Sequence, residues 1–165
     1  MWTPKQLRLT KNSDSEHAWH MLYLKECFTL WIDDKPIHNA IYPNRMTLSD
    51  EFETLVCDEC GVEGCNGARQ LMLRTQGDTL LFLPVFDIMD SFEEFNYETY
   101  TGERSCPPHR WYEDGALSMR GEILHQFLRL LPGFDLKKVP PISWEEEAKL
   151  KEFEGYVKNL KTVSA

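Results

Sequence analysis

Residues 69–83 read Arg69-Gln-Leu-Met-Leu-Arg-Thr75, then Gln76-Gly77-Asp78, then Thr79-Leu-Leu-Phe-Leu83, and they contain the clearest structural signal of the chain. Two runs of strand-forming residues flank a short turn that contains glycine, and this pattern predicts a β-hairpin. The second run is apolar at consecutive positions, which is typical of a strand whose two faces are both buried. We therefore predict a hairpin whose second strand lies in the interior of a sheet.

A second hairpin is predicted within residues 21–39. Phe28-Thr-Leu-Trp-Ile32 is rich in β-branched and aromatic residues, and Asp33-Asp34-Lys35 then forms a turn into Pro36-Ile37-His38. Because proline has no N–H to donate to a sheet, the return strand is expected at an edge. Strand-like stretches are also predicted over residues 6–10 and 21–32, and the start of a short helix over residues 47–53.

Two helices are predicted in the C-terminal third. Within residues 116–131, apolar residues recur at helical spacing until Pro132-Gly133 ends the run. A last helix is predicted over residues 143–160, where Ser143 and Glu146 have the spacing of a capping box. Its expected buried positions are Leu150, Phe153, Val157 and Leu160.

These elements predict an α+β fold. At 165 residues the chain has the length of a single domain, which we place at residues 1–165. The two hairpins are expected to build one antiparallel sheet, with the helices of residues 116–131 and 143–160 packed on one face. A cysteine-rich loop closed by a structural metal is expected at one end.

The metal prediction rests on Cys57-Asp-Glu-Cys60-Gly61-Val-Glu-Gly64-Cys65. A Cys-x-x-Cys-Gly step is typical of a zinc knuckle, because the glycine allows the sharp bend that brings two thiolates to one ion. Thiolates are soft ligands that suit zinc, and a closed tetrahedral site needs four donors. We predict Cys57, Cys60 and Cys65 as three ligands, with Cys106 or His109 of the segment Cys106-Pro-Pro-His109 as the fourth.

The same cysteines allow other interpretations besides a structural metal site. They could be unrelated thiols on glycine-rich turns, or they could hold an iron–sulfur cluster. A redox pair is disfavoured, since Asp58, Glu59 and Glu63 would raise the pKa of the thiols. An open site with three protein ligands and a water would instead indicate a zinc enzyme. The histidines at 17, 20 and 38 are interpreted as surface or satisfied side chains.

The motif Cys57-x-x-Cys60-Gly61-x-x-Gly64-Cys65, followed by a hairpin with a Gly-Asp-Thr turn, resembles a group of small uncharacterised bacterial proteins. The resemblance covers residues 55–85. It implies a cysteine- and glycine-rich turn before two strands, and it implies no activity for this chain.

The acidic composition limits the kinds of molecule that the protein is expected to bind. The net charge is −9 and the isoelectric point about 5.0, so nucleic acid and anionic membrane surfaces are disfavoured and a basic protein partner is favoured. Residues 86–100 combine acidic and aromatic side chains without a base, and they are the predicted contact surface. The absence of a signal sequence and of a long apolar run predicts a cytoplasmic protein.

The function predicted from these features is that of a non-enzymatic interaction protein with an acidic contact face and a structural zinc ion. No Gly-x-Ser-x-Gly, phosphate-loop or His-Glu-x-x-His motif occurs, which disfavours an enzyme. The alternative is a zinc-dependent hydrolase of unknown substrate. The two classes differ in whether the metal site is closed or open.

Overall fold

The computed structural model describes residues 1–53, 55–59, 61, 70–85 and 114–164. Over these residues the chain is α+β, as predicted, with antiparallel sheets and three α-helices. The strands are β1 (Leu7–Lys11), β2 (Phe28–Ile32), β3 (Lys35–Ile41), β4 (Glu51–Glu53), β5 (Gln70–Gln76), β6 (Thr79–Pro84) and β7 (Leu117–Met119). The helices are α1 (Leu22–Lys25), α2 (Glu122–Leu130) and α3 (Trp144–Ser164). None of these helices is long and apolar enough to span a membrane.

The strands of the described ranges form two sheets. One has the order β1-β2-β3 and the other the order β4-β5-β6-β7, with every neighbouring pair antiparallel. The prediction that both hairpins share one sheet is therefore wrong. Strand β3 has two register irregularities against β2, and such bulges twist an edge away from further pairing.

Both predicted hairpins are confirmed. In β5–β6, Gln76 pairs with Thr79, so Gly77 and Asp78 form a two-residue turn in which Gly77 has a left-handed φ of 61°. Strand β6 lies between β5 and β7, as its apolar sequence predicted, and β3 lies at a sheet edge, as Pro36 predicted.

Three local predictions are wrong. The helix predicted over residues 116–131 begins only at Glu122, because Leu117–Met119 pairs with β6 and forms strand β7. Residues 22–25 form the short helix α1 where a strand was expected, and Leu24 from this helix is fully buried. Residues 51–53 form strand β4 where a helix start was expected, since Phe52 pairs with Leu71 and is buried in the core. In all three segments, tertiary contacts override the local preference of the chain.

A series of aromatic rings connects the two sheets with α2. His38 of β3 packs edge-to-face on Phe52 of β4, with ring centroids 5.5 Å apart. Phe52 packs in the same way on Phe82 of β6, and Phe82 on Phe127 of α2, at 6.2 and 5.9 Å. Phe127 then contacts Phe134 at 5.0 Å. This geometry is the preferred one for aromatic pairs, and it joins elements from distant parts of the sequence in one core.

The start of α3 has the capping box that the sequence predicted. The backbone N–H of Glu146 donates to Ser143 Oγ at 3.1 Å, and the backbone N–H of Ser143 donates to Glu146 Oε1 at 3.0 Å. Arg74 of β5 also donates to the Glu146 carboxylate, at 2.8 and 3.0 Å. Burial opposes ionisation of Glu146, but the bonds from Arg74 and Ser143 outweigh it and lower the pKa of this carboxyl below 4.5.

Replacing Glu146 with glutamine should therefore destabilise the protein at pH 7 by about 1 kcal/mol, because glutamine keeps the capping box and loses the charge opposite Arg74. A depressed carboxyl pKa stabilises the fold above the unfolded-state pKa, and this contribution is lost as the pH falls through the folded-state pKa. In urea unfolding, the difference between wild type and Glu146→Gln should be constant from pH 7 to about pH 5 and shrink below about pH 4.5. Glu145→Gln, at an exposed position of the same turn, is the control. A difference that persists undiminished at pH 3 would contradict this account.

Candidate functional site

The structure describes one of the five predicted metal ligands, Cys57, which is buried. Cys60, Cys65, Cys106 and His109 lie outside the described residues, as does the predicted contact segment 86–100. Within the described part of the chain, no group of three or more His, Cys, Asp or Glu side chains could hold a metal ion. The zinc site is therefore still a prediction, and its described part is the turn formed by residues 57–59 and 61.

This turn, which we call the cysteine turn, has the bend expected of the motif. The backbone N–H of Gly61 donates to the carbonyl oxygen of Cys57 at 2.9 Å, and Gly61 has a left-handed φ of 64°. A Cβ atom at Gly61 would lie 2.8 Å from both Met21 Cε and Tyr23 Cε1. Glycine is thus required twice, by the backbone conformation and by the close approach of two side chains.

Residues 12–27, which we call the N-terminal loop, contact the cysteine turn at three points. The backbone N–H of Met21 donates to the carbonyl oxygen of Asp58 at 3.0 Å. Tyr23 Oη donates to the carbonyl oxygen of Gly61 at 3.1 Å. His17 Nε2 bonds to Asp58 Oδ2 at 2.5 Å. Two segments that are far apart in sequence therefore form one structural unit.

A buried asparagine connects this unit to β3. Asn39 Nδ2 donates to the carbonyl oxygen of Val56 at 2.9 Å, and the backbone N–H of Val56 donates to Asn39 Oδ1 at 2.8 Å. Both polar groups of the residue before Cys57 are therefore satisfied by one amide side chain that is 5% exposed. These paired bonds fix the backbone of Val56 against β3, because breaking them would leave buried polar groups without partners.

A second buried asparagine fixes the N-terminal loop. Asn12 Nδ2 donates to the carbonyl oxygens of Leu24 and Asn39, at 2.6 and 2.8 Å, and Asn12 Oδ1 accepts from Thr29 Oγ1 at 2.5 Å. The backbone N–H of Asn12 donates to the carbonyl oxygen of Cys27 at 3.0 Å. Asn12 thereby joins the two ends of the loop to strands β2 and β3.

The position of Asn39 depends on a bulge in β3. Phe28 pairs with Ile41 and Leu30 with His38, so β3 contains one more residue than β2 in this interval. As a result, Ile37, His38 and Asn39 are buried consecutively instead of alternating. A bulge re-aims a side chain in this way, and here it directs Asn39 toward Val56.

Cys27, which was not predicted as a ligand, is a core thiol. Its side chain is fully buried and its Sγ donates to the carbonyl oxygen of Tyr23 at 3.1 Å. Burial raises the pKa of the Cys27 thiol, and a hydrogen bond with Tyr42 only partly offsets this effect. The thiol is therefore protonated at neutral pH and suited to packing rather than to metal binding or nucleophilic chemistry.

The N-terminal loop and the cysteine turn carry several exposed charged side chains. Glu16, Glu26 and Glu59 are exposed, and so is Lys25. Leu22 of α1 is 76% exposed. Leu22 lies between Met21 and Tyr23, which both bond to the cysteine turn. Exposed apolar side chains occur at protein-binding surfaces, although a single one does not define such a surface.

No protein-family model, curated protein or solved structure matches this chain. The function is therefore argued from the geometry of these residues alone.

Sequence reasoning missed the residues that hold the cysteine turn. His17 is exposed and has a partner, which fits its interpretation as a surface or satisfied side chain, but the sequence did not indicate that this partner is Asp58, 41 residues away. Asn12 and Asn39 were given no role. One signal was present for Asn39, since asparagine is disfavoured inside strands and a buried strand asparagine needs a polar partner.

Replacing Asn39 with alanine should lower the free energy of unfolding by about 2–4 kcal/mol, because the buried N–H and carbonyl of Val56 both lose their partner. Asn44→Ala is the matched control, since Asn44 is an exposed asparagine and its replacement should change stability by less than about 0.5 kcal/mol. Urea unfolding followed by tryptophan fluorescence measures both values. Equal stability of the two variants would show that the Asn39–Val56 pairing does not hold the turn.

Proposed function

We propose that the chain is a non-enzymatic interaction protein whose cysteine turn is closed by a structural zinc ion. The observation that supports the metal most directly is the conformation of residues 57–61. Cys57 is buried and Gly61 is left-handed, and a left-handed glycine at this position of a Cys-x-x-Cys-Gly step allows the sharp bend of a zinc knuckle.

The turn is also held by contacts from other parts of the protein. Asn39 fixes Val56 immediately ahead of Cys57, and Met21 and Tyr23 bond to the carbonyl oxygens of Asp58 and Gly61. A site that is ordered in advance loses less conformational entropy on binding. Zinc bound by Cys57, Cys60 and Cys65, with Cys106 or His109 as fourth ligand, would connect two loops that are about forty residues apart.

A structural site gives a definite pattern of metal content. The untagged wild-type protein should contain one zinc ion per chain, and Cys60→Ser should lose it, as should either Cys106→Ser or His109→Ala. Cys27→Ser is the matched control, because Cys27 is a core thiol and its loss should leave the zinc content unchanged. Elemental mass spectrometry measures all five proteins.

The possible results separate the proposed classes. If Cys106→Ser and His109→Ala each retain one zinc ion per chain, the site has three protein ligands and a bound water, which would favour the zinc hydrolase. Wild-type protein without any metal would contradict the structural site.

The interaction role is supported by charge and exposure. The net charge of −9 favours a basic partner, and the N-terminal loop and the cysteine turn together expose Glu16, Glu26 and Glu59 as well as Leu22. Protein-binding surfaces combine apolar and charged side chains in this way.

A basic partner predicts a position-specific effect of charge. In affinity capture from a cell extract, the double variant Glu26→Lys, Glu59→Lys should recover the partner at least about tenfold less than wild type, since the attraction becomes repulsion. The double variant Asp78→Lys, Glu152→Lys changes the net charge equally at exposed positions elsewhere and should bind as wild type does. An equal loss of recovered partner in both variants would show that only the net charge matters. No loss in either variant would contradict the proposal that Glu26 and Glu59 contact the partner.

A further inference from the structure

We propose that the N-terminal loop is the outer half of the metal site, in which His17 and Tyr23 hold the cysteine turn in its ligating conformation and so set the affinity for zinc. This inference rests on the zinc site proposed above. It concerns positioning residues, which act through the turn and do not bind the metal.

The position of His17 is hard to explain by packing. Its side chain is 55% exposed, yet its Nε2 atom lies 2.5 Å from Oδ2 of Asp58, the residue between the first two predicted ligands and next to Cys57. The ring is also oriented, because it packs edge-to-face on Trp19 with centroids 4.6 Å apart. Trp19 is in turn fixed through its indole N–H, which donates to the carbonyl oxygen of Asn12 at 3.0 Å.

The buried polar network thus continues to the surface. It runs from Asn12, which is anchored on β2 and β3, through Trp19 to His17 and then to Asp58. A histidine that only contacted solvent would not need a ring that Trp19 orients toward Asp58.

The backbone contacts act on the same turn. Met21 bonds to the carbonyl oxygen of Asp58, and Tyr23 bonds to that of Gly61, so the N-terminal loop holds the chain on both sides of Cys60. With the bond from His17 to the Asp58 side chain, three hydrogen bonds from one loop reach Asp58 and Gly61. Outer partners of this kind orient metal ligands, and their loss typically weakens metal binding by about 10- to 100-fold.

The effect on affinity follows from the population of the ligating conformation. If the turn samples that conformation only part of the time, the apparent dissociation constant rises in inverse proportion to the populated fraction. Removing one of three contacts should lower this fraction without unfolding the rest of the protein, because His17 is exposed and lies outside the aromatic core.

The test is the zinc dissociation constant, measured by competition with a chromogenic zinc chelator. His17→Ala and Tyr23→Phe should each raise it by about 10-fold. His17→Gln should recover part of the loss, since its amide N–H can still donate to Asp58. His20→Ala is the matched control, because His20 is exposed in the same loop and makes no hydrogen bond or ion pair with any described residue; its affinity should equal that of wild type.

The urea midpoint of each metal-free variant distinguishes positioning from general stability. The inference requires that His17→Ala leave this midpoint unchanged while zinc affinity falls. Wild-type affinity in both His17→Ala and Tyr23→Phe would overturn the inference and leave the zinc site intact. A wild-type protein that binds no zinc would instead refute the proposed site, and the inference with it.

Discussion

The paired hydrogen bonds between the Asn39 side chain and the backbone of Val56 determine how the N-terminal half of the molecule is arranged. They fix the chain one residue before Cys57, at a place where no strand continues the sheet beyond β3 within the described residues. Asn12 then bonds to the carbonyl oxygen of Asn39, so the N-terminal loop is held on the same strand. Because both asparagine side chains are buried, replacing their hydrogen-bond partners with water would cost free energy. The two asparagines therefore favour this one arrangement of the chain.

This arrangement supports the cysteine turn through contacts within the protein. The turn contacts the N-terminal loop, the loop is anchored through Asn12 on β2 and β3, and β3 is connected through His38 and Phe52 to the second sheet. A metal ion bound at such a turn would add a constraint at the periphery of a core that is already connected. We infer that zinc, if removed, would loosen the loops that supply its ligands and leave the aromatic core intact.

Local features of the fold could be predicted from the sequence because their causes are local. The Gly77-Asp78 turn sets the register of its hairpin, and Ser143 and Glu146 form their capping box within one turn of helix. The same reasoning could identify Gly61 as the bend of the cysteine turn.

The other parts of the structure could not be predicted in this way because their causes lie far apart in sequence. The strand at residues 51–53 forms through pairing with β5, and α1 forms where Leu24 reaches the core. Asn39 points inward only because of a bulge whose register involves β2. The contact of His17 with Asp58 joins two segments whose proximity follows from this whole arrangement.

That the cysteine turn binds zinc is tested most directly by anomalous diffraction at the zinc absorption edge, with crystals of protein purified in the presence of zinc. We predict a single strong anomalous peak about 2.3 Å from Cys57 Sγ, with Cys60, Cys65 and either Cys106 or His109 completing a tetrahedron. The absence of anomalous density within bonding distance of Cys57 Sγ would contradict the metal site and the role proposed for the N-terminal loop.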